Sequence, residues 1–293
     1  LLSMQNFRSL YRRLLLPAVA LTVLLLYGCL PGGGRAAQSA GDTTAGEPFE
    51  HYDAKTLTAQ SDFDNLMHQL FLDEVDGSLI SLHYTLADPA AYGITDYPIT
   101  FGGLSLEQSK SAAGETAKLL VKLENLDSRL LRQDQLLTYR ILKSYLTTQL
   151  SAKGLELYDQ PLSSSLGVQA QLPILLSEYA FYSKQDVEDY LELLSTIDSY
   201  YGEIAAFEQQ KTEAGLGLCD AVIDRILASC DAYLLDADHS FMAATFAERL
   251  EALPDLTDQE KQDYIARNHQ MIDEHFVPAY QLLIDKLTAL KGT

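Results

Sequence analysis

Positively charged residues are scarce in this sequence, and their scarcity excludes one class of partner. Lysine and arginine together number 21 against 41 aspartates and glutamates, which gives a formal net charge of −20 at pH 7. A surface of that sign repels nucleic-acid phosphates and anionic lipid headgroups. We therefore expect no nucleic-acid partner, and no attachment to a membrane through surface charge.

Proline is also scarce, with nine residues in a chain of 293 of which 47% is hydrophobic. A disordered chain has the opposite balance, because it carries too little apolar surface to form a core. The composition therefore predicts one or two globular domains that are large enough to enclose a core.

The chain has only three cysteines, and the spacing of two of them excludes a disulfide between them. Cys219 and Cys230 lie in the segment "LCDAVIDRILASCDAYL", which has the pattern of a helix. Eleven helical residues separate Cα atoms by about 16 Å along the axis, whereas a disulfide needs them within about 7 Å. We expect both side chains to be free, buried thiols and not a metal-binding pair.

The third cysteine, Cys29, ends a segment with the pattern of a targeting signal. Three arginines (Arg8, Arg12, Arg13) precede the apolar run "LLLPAVALTVLLL", which is followed by "YGC". This arrangement resembles the signal peptide and lipobox of bacterial lipoproteins, with residues 1–28 as the signal. The resemblance implies export, lipidation at Cys29 and anchoring to a membrane, on the outer face of the cytoplasmic membrane or in a periplasm.

Two alternatives to lipidation stay open, namely an uncleaved anchor and ordinary signal cleavage. Tyr27 stands where a lipobox usually has a small residue, although the apolar run is short for a membrane-spanning helix. Residues 29–58 are rich in Gly, Ala, Ser and Thr and poor in large apolar residues. This composition predicts a flexible tether that holds a folded body away from the membrane.

Beyond the tether, apolar residues recur at helical spacing and strand patterns are nearly absent. Residues 59–293 are therefore predicted to form an irregular all-α, multi-helix domain, without the repeats of a solenoid or coiled coil. Capping pairs predict four helix starts, at Ser61 with Asp64, Ser105 with Gln108, Ser183 with Asp186 and Thr257 with Glu260. The predicted helices cover 61–75, 79–87, 105–126, 133–150, 174–182, 187–209, 218–235, 241–250 and 260–290, and 154–173 is predicted to be the longest loop.

His269 and His275, in "ARNHQMIDEHFVPAY", are the first candidates for a metal site. A zinc helix of the His-Glu-x-x-His kind places its two histidines four residues apart, with the glutamate as general base. These histidines are six residues apart, which separates them by about 120° around a regular helix, and Gln270 stands where the base would be. We expect two solvated or edge histidines, with Asp273 near enough to pair with His269.

The remaining polar motifs do not identify a catalytic, cofactor-binding or metal-binding residue. His83 and Tyr84 precede a proline-bounded loop, and we expect them to pack in the core or against that loop. The segment "DADHS" lacks the glycine and bidentate glutamate of a calcium loop. The acidic clusters "FLDEVD" and "QDVEDYLELL" are expected on solvated helix faces. Nucleophile-elbow, phosphate-loop and dinucleotide motifs are absent from the sequence.

Three blocks in a defined order resemble the N-terminal half of the bacterial family called domain of unknown function 885. They are "FDNLMHQLFLDEVDGSLISLHYTLADPAAYGI", "PLSSSLGVQAQLPILLSEYAFYSKQDVEDYLELL" and "LTDQEKQDYIARNHQMIDEHFVPAYQLLIDKLTALKGT". The resemblance implies the N-terminal half of a larger helical protein that is similar in outline to zinc peptidases. It also implies that zinc is bound in the full-length family at a His-Glu-x-x-Pro-Gly-His segment, which this sequence does not contain.

The resemblance leads to two expectations for function. The first is the helical part of a surface-anchored lipoprotein that resembles zinc-dependent peptidases. Such a chain would border a peptide substrate, lack the catalytic half and be inactive alone. The alternative is a non-catalytic lipoprotein that binds a peptide or a cell-envelope partner. If the chain is a fragment, an apolar helix face is expected to be exposed and to promote association.

Overall fold

The computed structural model describes residues 53–235 and 241–292, which are helical and contain no strand. The predicted all-α fold is confirmed. In the described ranges, no helix is long and apolar enough to cross a membrane. The helices are α1 (Ala54–Val75), α2 (Leu79–Thr85), α3 (Leu106–Glu124), α4 (Gln133–Ser151), α5 (Val168–Glu178), α6 (Lys184–Ser195), α7 (Ile197–Glu213), α8 (Asp220–Leu234), α9 (Phe241–Leu250), α10 (Asp258–Met271) and α11 (Val277–Ala289), with a π turn (Ile272–Phe276) and 3-10 turns at Pro89–Tyr92, Ser128–Leu130 and Glu156–Tyr158.

The chain divides into two compact units. Unit 1 combines the described residues up to Glu74 with Thr116–Ser151, and unit 2 combines Val75–Glu115 with the described residues from Ala152 onwards. Each unit has its own hydrophobic core.

Helix α1 of unit 1 begins at Ala54, seven residues before the start predicted at Ser61. The carboxylate of Asp53 accepts a hydrogen bond from the backbone N–H of Thr56 at 2.7 Å, which satisfies one of the free donors of the first turn. Residues 54–58 of the predicted tether are therefore helical. The rest of the tether, the predicted signal segment and Cys29 lie outside the described residues.

The core of unit 1 is small, with four buried side chains, those of Phe63, Leu123, Tyr139 and Leu146. Its buried polar residue Gln135 is fully enclosed. The amide of Gln135 donates to the carbonyl of Gln60 at 3.0 Å and to the carboxylate of Asp64 at 2.8 Å. A neutral side chain with these partners is buried without leaving a donor unsatisfied.

Helix α4 confirms the prediction in its extent but not in the face that it buries. The helical pattern predicts one apolar face through Leu137, Ile141, Tyr145 and Leu146. Leu146 is buried, whereas Leu137, Ile141 and Tyr145 are 61%, 37% and 49% exposed. Residues at spacings of four share a face of the helix, so these three side chains form an exposed apolar stripe.

Unit 2 has a much larger core that is rich in aromatic residues. Tyr201 and Tyr280 are fully buried, and the hydroxyl of Tyr201 donates to that of Tyr280 at 3.0 Å. Their rings lie 5.0 Å apart in an edge-to-face arrangement, and Phe276 packs on Tyr280 at 4.6 Å. Such pairs add to the stabilisation that comes from burial of their area.

One predicted helix, 187–209, is divided in the structure into α6 and α7 at Thr196. The hydroxyls of Ser195 and Thr196 donate to the carbonyls of Glu192 and Leu193 at 2.6 and 2.8 Å. Side-chain bonds of this kind compete with the helical ladder and bend the chain. Each of these bonds spans only three residues, so the break between α6 and α7 is a local effect of two adjacent hydroxyl residues.

The helix predicted over 260–290 is likewise interrupted, by the π turn between α10 and α11. Pro278 follows the turn directly, and because proline has no backbone N–H it cannot bond the carbonyl of Glu274. The π turn therefore lies where the α-helical hydrogen bond to the carbonyl of Glu274 cannot form. Helix α10 contacts α6 and α9, α11 contacts α7 and α8, and the π turn contacts both α6 and α7.

The long loop predicted over 154–173 is wrong in its last six residues, because α5 begins at Val168 and contains Pro173. A proline at this position leaves the carbonyl of Gln169 without its helical donor. The hydroxyl of Tyr280 donates to that carbonyl at 2.6 Å and replaces the missing bond. A contact from a distant helix therefore allows α5 to continue through its proline.

Candidate functional site

His83 begins the candidate site, on the second turn of α2. The helix starts at Ser78, whose hydroxyl accepts a hydrogen bond from the backbone N–H of Ser81 at 3.2 Å. This start places Leu79 and Leu82 in the core and His83 beside them. The side chain of His83 is 7% exposed, so its imidazole is held within the protein and not on its surface.

The imidazole of His83 lies between aromatic rings and a carboxylate. It stacks on Tyr179 with ring centroids 3.6 Å apart and planes inclined by 10°, and Tyr182 lies 5.7 Å away. Its Nδ1 is 3.6 Å from Oδ1 of Asp186. Burial lowers the pKa of His83, and Asp186 acts in the opposite direction without reversing the shift. His83 is therefore neutral at pH 7.

Asp186 has a structural role as well as a place in the site. Its Oδ2 accepts hydrogen bonds from the backbone N–H and the hydroxyl of Ser183, at 2.7 and 2.9 Å, and so completes the capping box predicted for α6. Its other oxygen faces His83. Because the cap fixes the carboxylate, Asp186 is oriented toward the interior before any ligand binds.

Asp189 lies one turn further along α6 and is only 4% exposed. The hydroxyl of Tyr97 donates to its Oδ2 at 2.7 Å, and the amide of Gln185 donates to its Oδ1 at 2.8 Å. The expectation that the acids of "QDVEDYLELL" are solvated is wrong for Asp189. Burial and then the neighbouring carboxylate of Asp189 raise the pKa of Tyr97, which stays a neutral donor.

A loop brings Tyr97 to Asp189 across 92 residues of sequence. The loop first forms the 3-10 turn Pro89–Tyr92, which ends at Gly93 with φ of 79°, a left-handed conformation that glycine adopts without strain. It is tied back to α2 where the backbone N–H of Leu79 donates to the carbonyl of Thr100 at 3.2 Å. The loop is therefore anchored on both sides of Tyr97.

These side chains enclose a cavity of about 210 Å³ in unit 2. Its lining is mostly apolar on the α2 side, apart from His83 and Asp88, and polar on the α6 side. It comprises Leu79, Leu82, His83, Leu86, Ala87, Asp88, Pro89, Tyr97, Tyr179, Tyr182, Ser183, Gln185, Asp186 and Asp189. The hydroxyl of Tyr179 is buried and has no hydrogen-bond partner. Apolar walls with a few convergent polar groups are typical of ligand-binding sites.

The histidines examined first in the sequence lie elsewhere in unit 2. His275 is in the π turn, and its Nδ1 lies 2.7 Å from Oδ2 of Asp198 on α7. That contact gives a carboxylate partner to His275, whereas the sequence suggested Asp273 as a partner for His269. The segment "DADHS" lies outside the described residues.

The two remaining cysteines are free, but only one of them is buried. Cys230 is fully enclosed in the core of unit 2, and burial raises the pKa of its thiol to about 12. Cys219 is exposed, because it occupies the cap position before α8 and not a position within the helix. The prediction of two buried thiols is therefore wrong for Cys219. In "FLDEVD", Asp73 and Glu74 are exposed as expected, whereas Asp76 is half-buried and one of its carboxylate oxygens is enclosed.

The described residues do not fit a zinc ion. Nowhere in residues 53–235 and 241–292 do three histidine, cysteine, aspartate or glutamate side chains converge as a ligand set. His275 directs a ring nitrogen at Asp198, and the oxygens of Asp189 accept bonds from Tyr97 and Gln185. No metal-dependent step is therefore assigned to these side chains.

Sequence patterns point to part of this site and miss the rest. The capping pair Ser183–Asp186 predicts the start of α6, and the spacing of three between Asp186 and Asp189 places both carboxylates on one face. The neighbouring residues do not determine whether that face of α6 points to the interior or to solvent. Tyr97 and Tyr179 reach the site only through the tertiary fold, so their roles have no signal in nearby residues.

Comparison with known proteins identifies a family and a fold. The family described as "Bacterial protein of unknown function (DUF885)" matches residues 90–292. The crystal structure described as "the putative lipoprotein from Colwellia psychrerythraea" is similar with a TM-score of 0.64 at 13% identity. The likeness covers 80% of this chain and 41% of that chain. At this identity it shows the fold alone, and this chain spans less than half of that protein.

A search of curated proteins finds no match to this sequence. The family match, in contrast, extends over well more than half of the 293 residues and includes every helix from α3 to α11. It also includes half of the residues that line the cavity of unit 2, namely Tyr97 and those from Tyr179 to Asp189. On this match, the chain belongs to the DUF885 family of bacterial proteins.

Proposed function

We propose that this chain is the helical, substrate-binding part of an exported, lipid-anchored protein that resembles zinc-dependent peptidases, and that it is inactive alone. The observation that carries the proposal is the cavity of unit 2, with apolar walls on one side and Tyr97, Asp186 and Asp189 on the other. A binding site needs a shaped apolar surface and a few oriented polar groups, and the cavity supplies both.

Membership of the family and the structural likeness support the cellular part of the proposal. The similar protein from Colwellia psychrerythraea is described as a "putative lipoprotein", and this sequence has arginines, an apolar run and Cys29 arranged as in a lipoprotein signal. That protein is also more than twice as long as the region it shares with this chain. Proteins with this fold therefore have room for a second part.

The side chains that are present support assigning peptide binding to this chain and catalysis to another part of the protein. In a zinc peptidase the metal polarises the peptide carbonyl and lowers the pKa of a bound water. The side chains of unit 2 fit a different task, which is to hold a peptide in place. We assign the zinc ligands and the general base to a part of the protein that this chain does not contain.

The direct test measures binding and turnover by the full 293-residue chain in mild detergent. A fluorescent peptide library with and without added zinc is followed by anisotropy for binding and by mass spectrometry for cleavage. We expect binding without cleavage. Zinc-dependent turnover by the purified chain would contradict the proposal, as would failure of every peptide to bind.

Lipid attachment is tested separately by feeding labelled palmitate to bacteria that express the full chain. The label is expected on the wild-type protein and lost from Cys29→Ser. Cys219→Ser is the matched control, because Cys219 is an exposed free thiol in the described part of the chain. Label that persists in Cys29→Ser would overturn lipidation at that residue.

The second candidate function is a lipoprotein that binds a peptide or a cell-envelope partner without any catalytic role. The same cavity favours it, since binding there requires no metal. The two candidates differ in what a longer protein that joins this chain to a His-Glu-x-x-Pro-Gly-His segment does with bound peptide. Cleavage of bound peptide only in the longer protein favours the first, and binding without cleavage in both favours the second.

A further inference from the structure

The cavity of unit 2 carries negative charge without a cationic residue in its lining. Asp186, Asp189 and the exposed Asp88 contribute to the walls, and none of the residues that line it is lysine or arginine. His83 is neutral at pH 7 because burial lowers its pKa. Asp186 accepts bonds from Ser183, and Asp189 accepts bonds from Tyr97 and Gln185. A carboxylate has about four acceptor sites, so each can still accept a bond from a positively charged ligand.

Arg249 lies close enough to act on His83 but does not fill this role. Its guanidinium donates to the carbonyls of Leu176, at 3.0 Å, and Tyr179, and it stacks over the ring of Phe181 at 4.5 Å. It therefore satisfies the end of α5 and the aromatic core. The carboxylates of the cavity lie outside these contacts.

The hydroxyl of Tyr179 is an independent sign of a ligand. Tyr179 is 0% exposed and lines the cavity, yet its hydroxyl has no hydrogen-bond partner. After burial, Asp186 and Asp189 are the largest causes that raise the pKa of Tyr179, so its hydroxyl lies within electrostatic reach of both carboxylates. Buried hydroxyls without a partner are rare in folded proteins, and each implies an unfilled bond.

We propose that this cavity binds the primary ammonium group of a peptide, either its N-terminus or a lysine side chain. An ammonium has three N–H donors and no acceptor. The cavity offers three acceptors of matching polarity, the carboxylates of Asp186 and Asp189 and the hydroxyl oxygen of Tyr179. This inference rests on the proposed peptide binding and specifies its chemistry.

The size and the mouth of the cavity fit an aminoalkyl group. A volume of about 210 Å³ is several times the ~30 Å³ that one water occupies in the liquid. Leu86 and Pro89 supply apolar contact for methylene groups. Tyr182 is 69% exposed and also lines the cavity, so it lies at the mouth, where its ring is available to a cation.

The test compares three short peptides by isothermal titration calorimetry on the full chain in mild detergent. Ala-Ala-Ala-amide carries only the N-terminal ammonium, acetyl-Ala-Lys-Ala-amide carries only the side-chain ammonium, and acetyl-Ala-Ala-Ala-amide carries neither. We expect at least one charged peptide to bind about tenfold or more tightly than the blocked peptide, as one to two charge-assisted hydrogen bonds provide. The charged peptide that binds more tightly identifies the source of the ammonium.

Two variants separate the proposed contacts from a purely structural role. Tyr179→Phe removes a hydroxyl that has no partner in the protein, so the fold should keep its melting temperature while affinity for the preferred charged peptide falls about threefold to tenfold. Asp189→Asn should weaken binding further. Glu192→Gln is the matched control, because it makes the same charge change on the exposed side of α6.

The outcomes distinguish this inference from the function on which it rests. Equal binding of all three peptides would overturn the ammonium site and leave peptide binding intact. Absence of binding by every peptide would overturn both. Unchanged affinity of Tyr179→Phe and Asp189→Asn for the preferred charged peptide would place its ammonium elsewhere, and so would an equal loss in Glu192→Gln.

Discussion

Both units bury neutral polar side chains, but among the described residues the buried charged side chains lie in unit 2. Unit 1, with four buried apolar side chains, encloses the neutral amides of Gln60 and Gln135. Unit 2, with its large aromatic core, encloses the neutral amides of Gln169 and Asn268 and also the charged side chains of Asp189, Glu208 and Lys211. Removing a charge from water is far more costly than removing an amide that keeps its hydrogen bonds. The comparison teaches that buried charge occurs where apolar burial is extensive enough to offset it.

Breaking the buried pair of Glu208 and Lys211 in unit 2 is expected to have the largest effect on the free energy of unfolding. The side chains are 1% and 2% exposed and lie 3.2 Å apart on α7, and Oε2 of Glu208 has no partner. We expect Lys211→Met to lower the free energy of unfolding by about 3–5 kcal/mol, because it leaves an unpaired buried carboxylate. Urea denaturation at pH 8 measures this loss.

The pH dependence of that variant has a definite sign. Burial is the largest cause that raises the pKa of Glu208, and Lys211 opposes it. A raised pKa in the folded state contributes stability at low pH that is lost as the pH rises through the folded pKa. Without Lys211 the pKa rises further, so the variant should recover stability relative to wild type between pH 8 and pH 5. A loss of unfolding free energy in Lys211→Met that does not change with pH would contradict this. The double variant Glu208→Gln/Lys211→Met should lose less stability than Lys211→Met.

Matched leucine truncations test whether the two cores are independent. Leu194 in unit 2 is 0% exposed and Leu146 in unit 1 is 3% exposed. Replacement of a buried leucine by alanine lowers stability by about 2–5 kcal/mol, and less where the site can collapse. We expect Leu194→Ala to lie high in this range and Leu146→Ala low. Hydrogen exchange should rise mainly within the unit that carries the change, and equal increases in both units would show one cooperative core.

Tyr280→Phe tests how much a single buried hydroxyl stabilises α5 in unit 2. Its hydroxyl satisfies the carbonyl of Gln169 that Pro173 leaves without a donor. Removing it should lower stability by about 1–3 kcal/mol, the usual penalty for an unsatisfied buried polar group. Tyr233→Phe is the control, since it removes a 3.0 Å bond to the next carbonyl, that of Ala170, which still has a helical donor at residue 174. Tyr201→Phe is a second control, because Tyr280→Phe also removes the acceptor of the Tyr201 hydroxyl. A thermal shift no larger in Tyr280→Phe than in either control would refute the compensating role.

The apolar stripe of unit 1 gives the smallest expected effect on stability. Leu137 and Ile141 are 61% and 37% exposed, and exposed substitutions usually change stability by less than about 0.5 kcal/mol. We expect Leu137→Gln/Ile141→Gln to unfold like wild type but to self-associate less in analytical ultracentrifugation, because exposed apolar patches promote association. A large loss of stability would mean that the stripe is covered within the folded chain.

The capping residues in the sequence correctly predicted several helix starts, which depend on interactions between near neighbours. The capping boxes at Ser183 and Thr257 are formed as predicted, because both partners of each box lie within three residues. The Ser105–Gln108 pair is also formed, with bonds of 2.9 and 3.2 Å between them. These interactions need no knowledge of the rest of the chain, so the sequence specifies them directly.

Features that depend on distant partners could not be read in the same way. A helix through Pro173 contradicts the usual effect of proline, and the hydrogen bond that replaces the missing one comes from Tyr280, 111 residues away from Gln169. The burial of Asp189 depends on Tyr97, 92 residues away. Helical periodicity gives the apolar face of α4 but not whether another element covers it.

The π turn at Ile272–Phe276 has a consequence for changes in chain length. An i→i+5 turn holds one residue more than an α turn does. Loss of one residue there would let the turn close as regular helix, with α10 still directed at α6 and α11 at α7. Loss of one residue in the middle of α10 would instead rotate everything beyond it by about 100°. Deletions should therefore be tolerated at this turn and not elsewhere in the helix, and related sequences are expected to differ by one residue here.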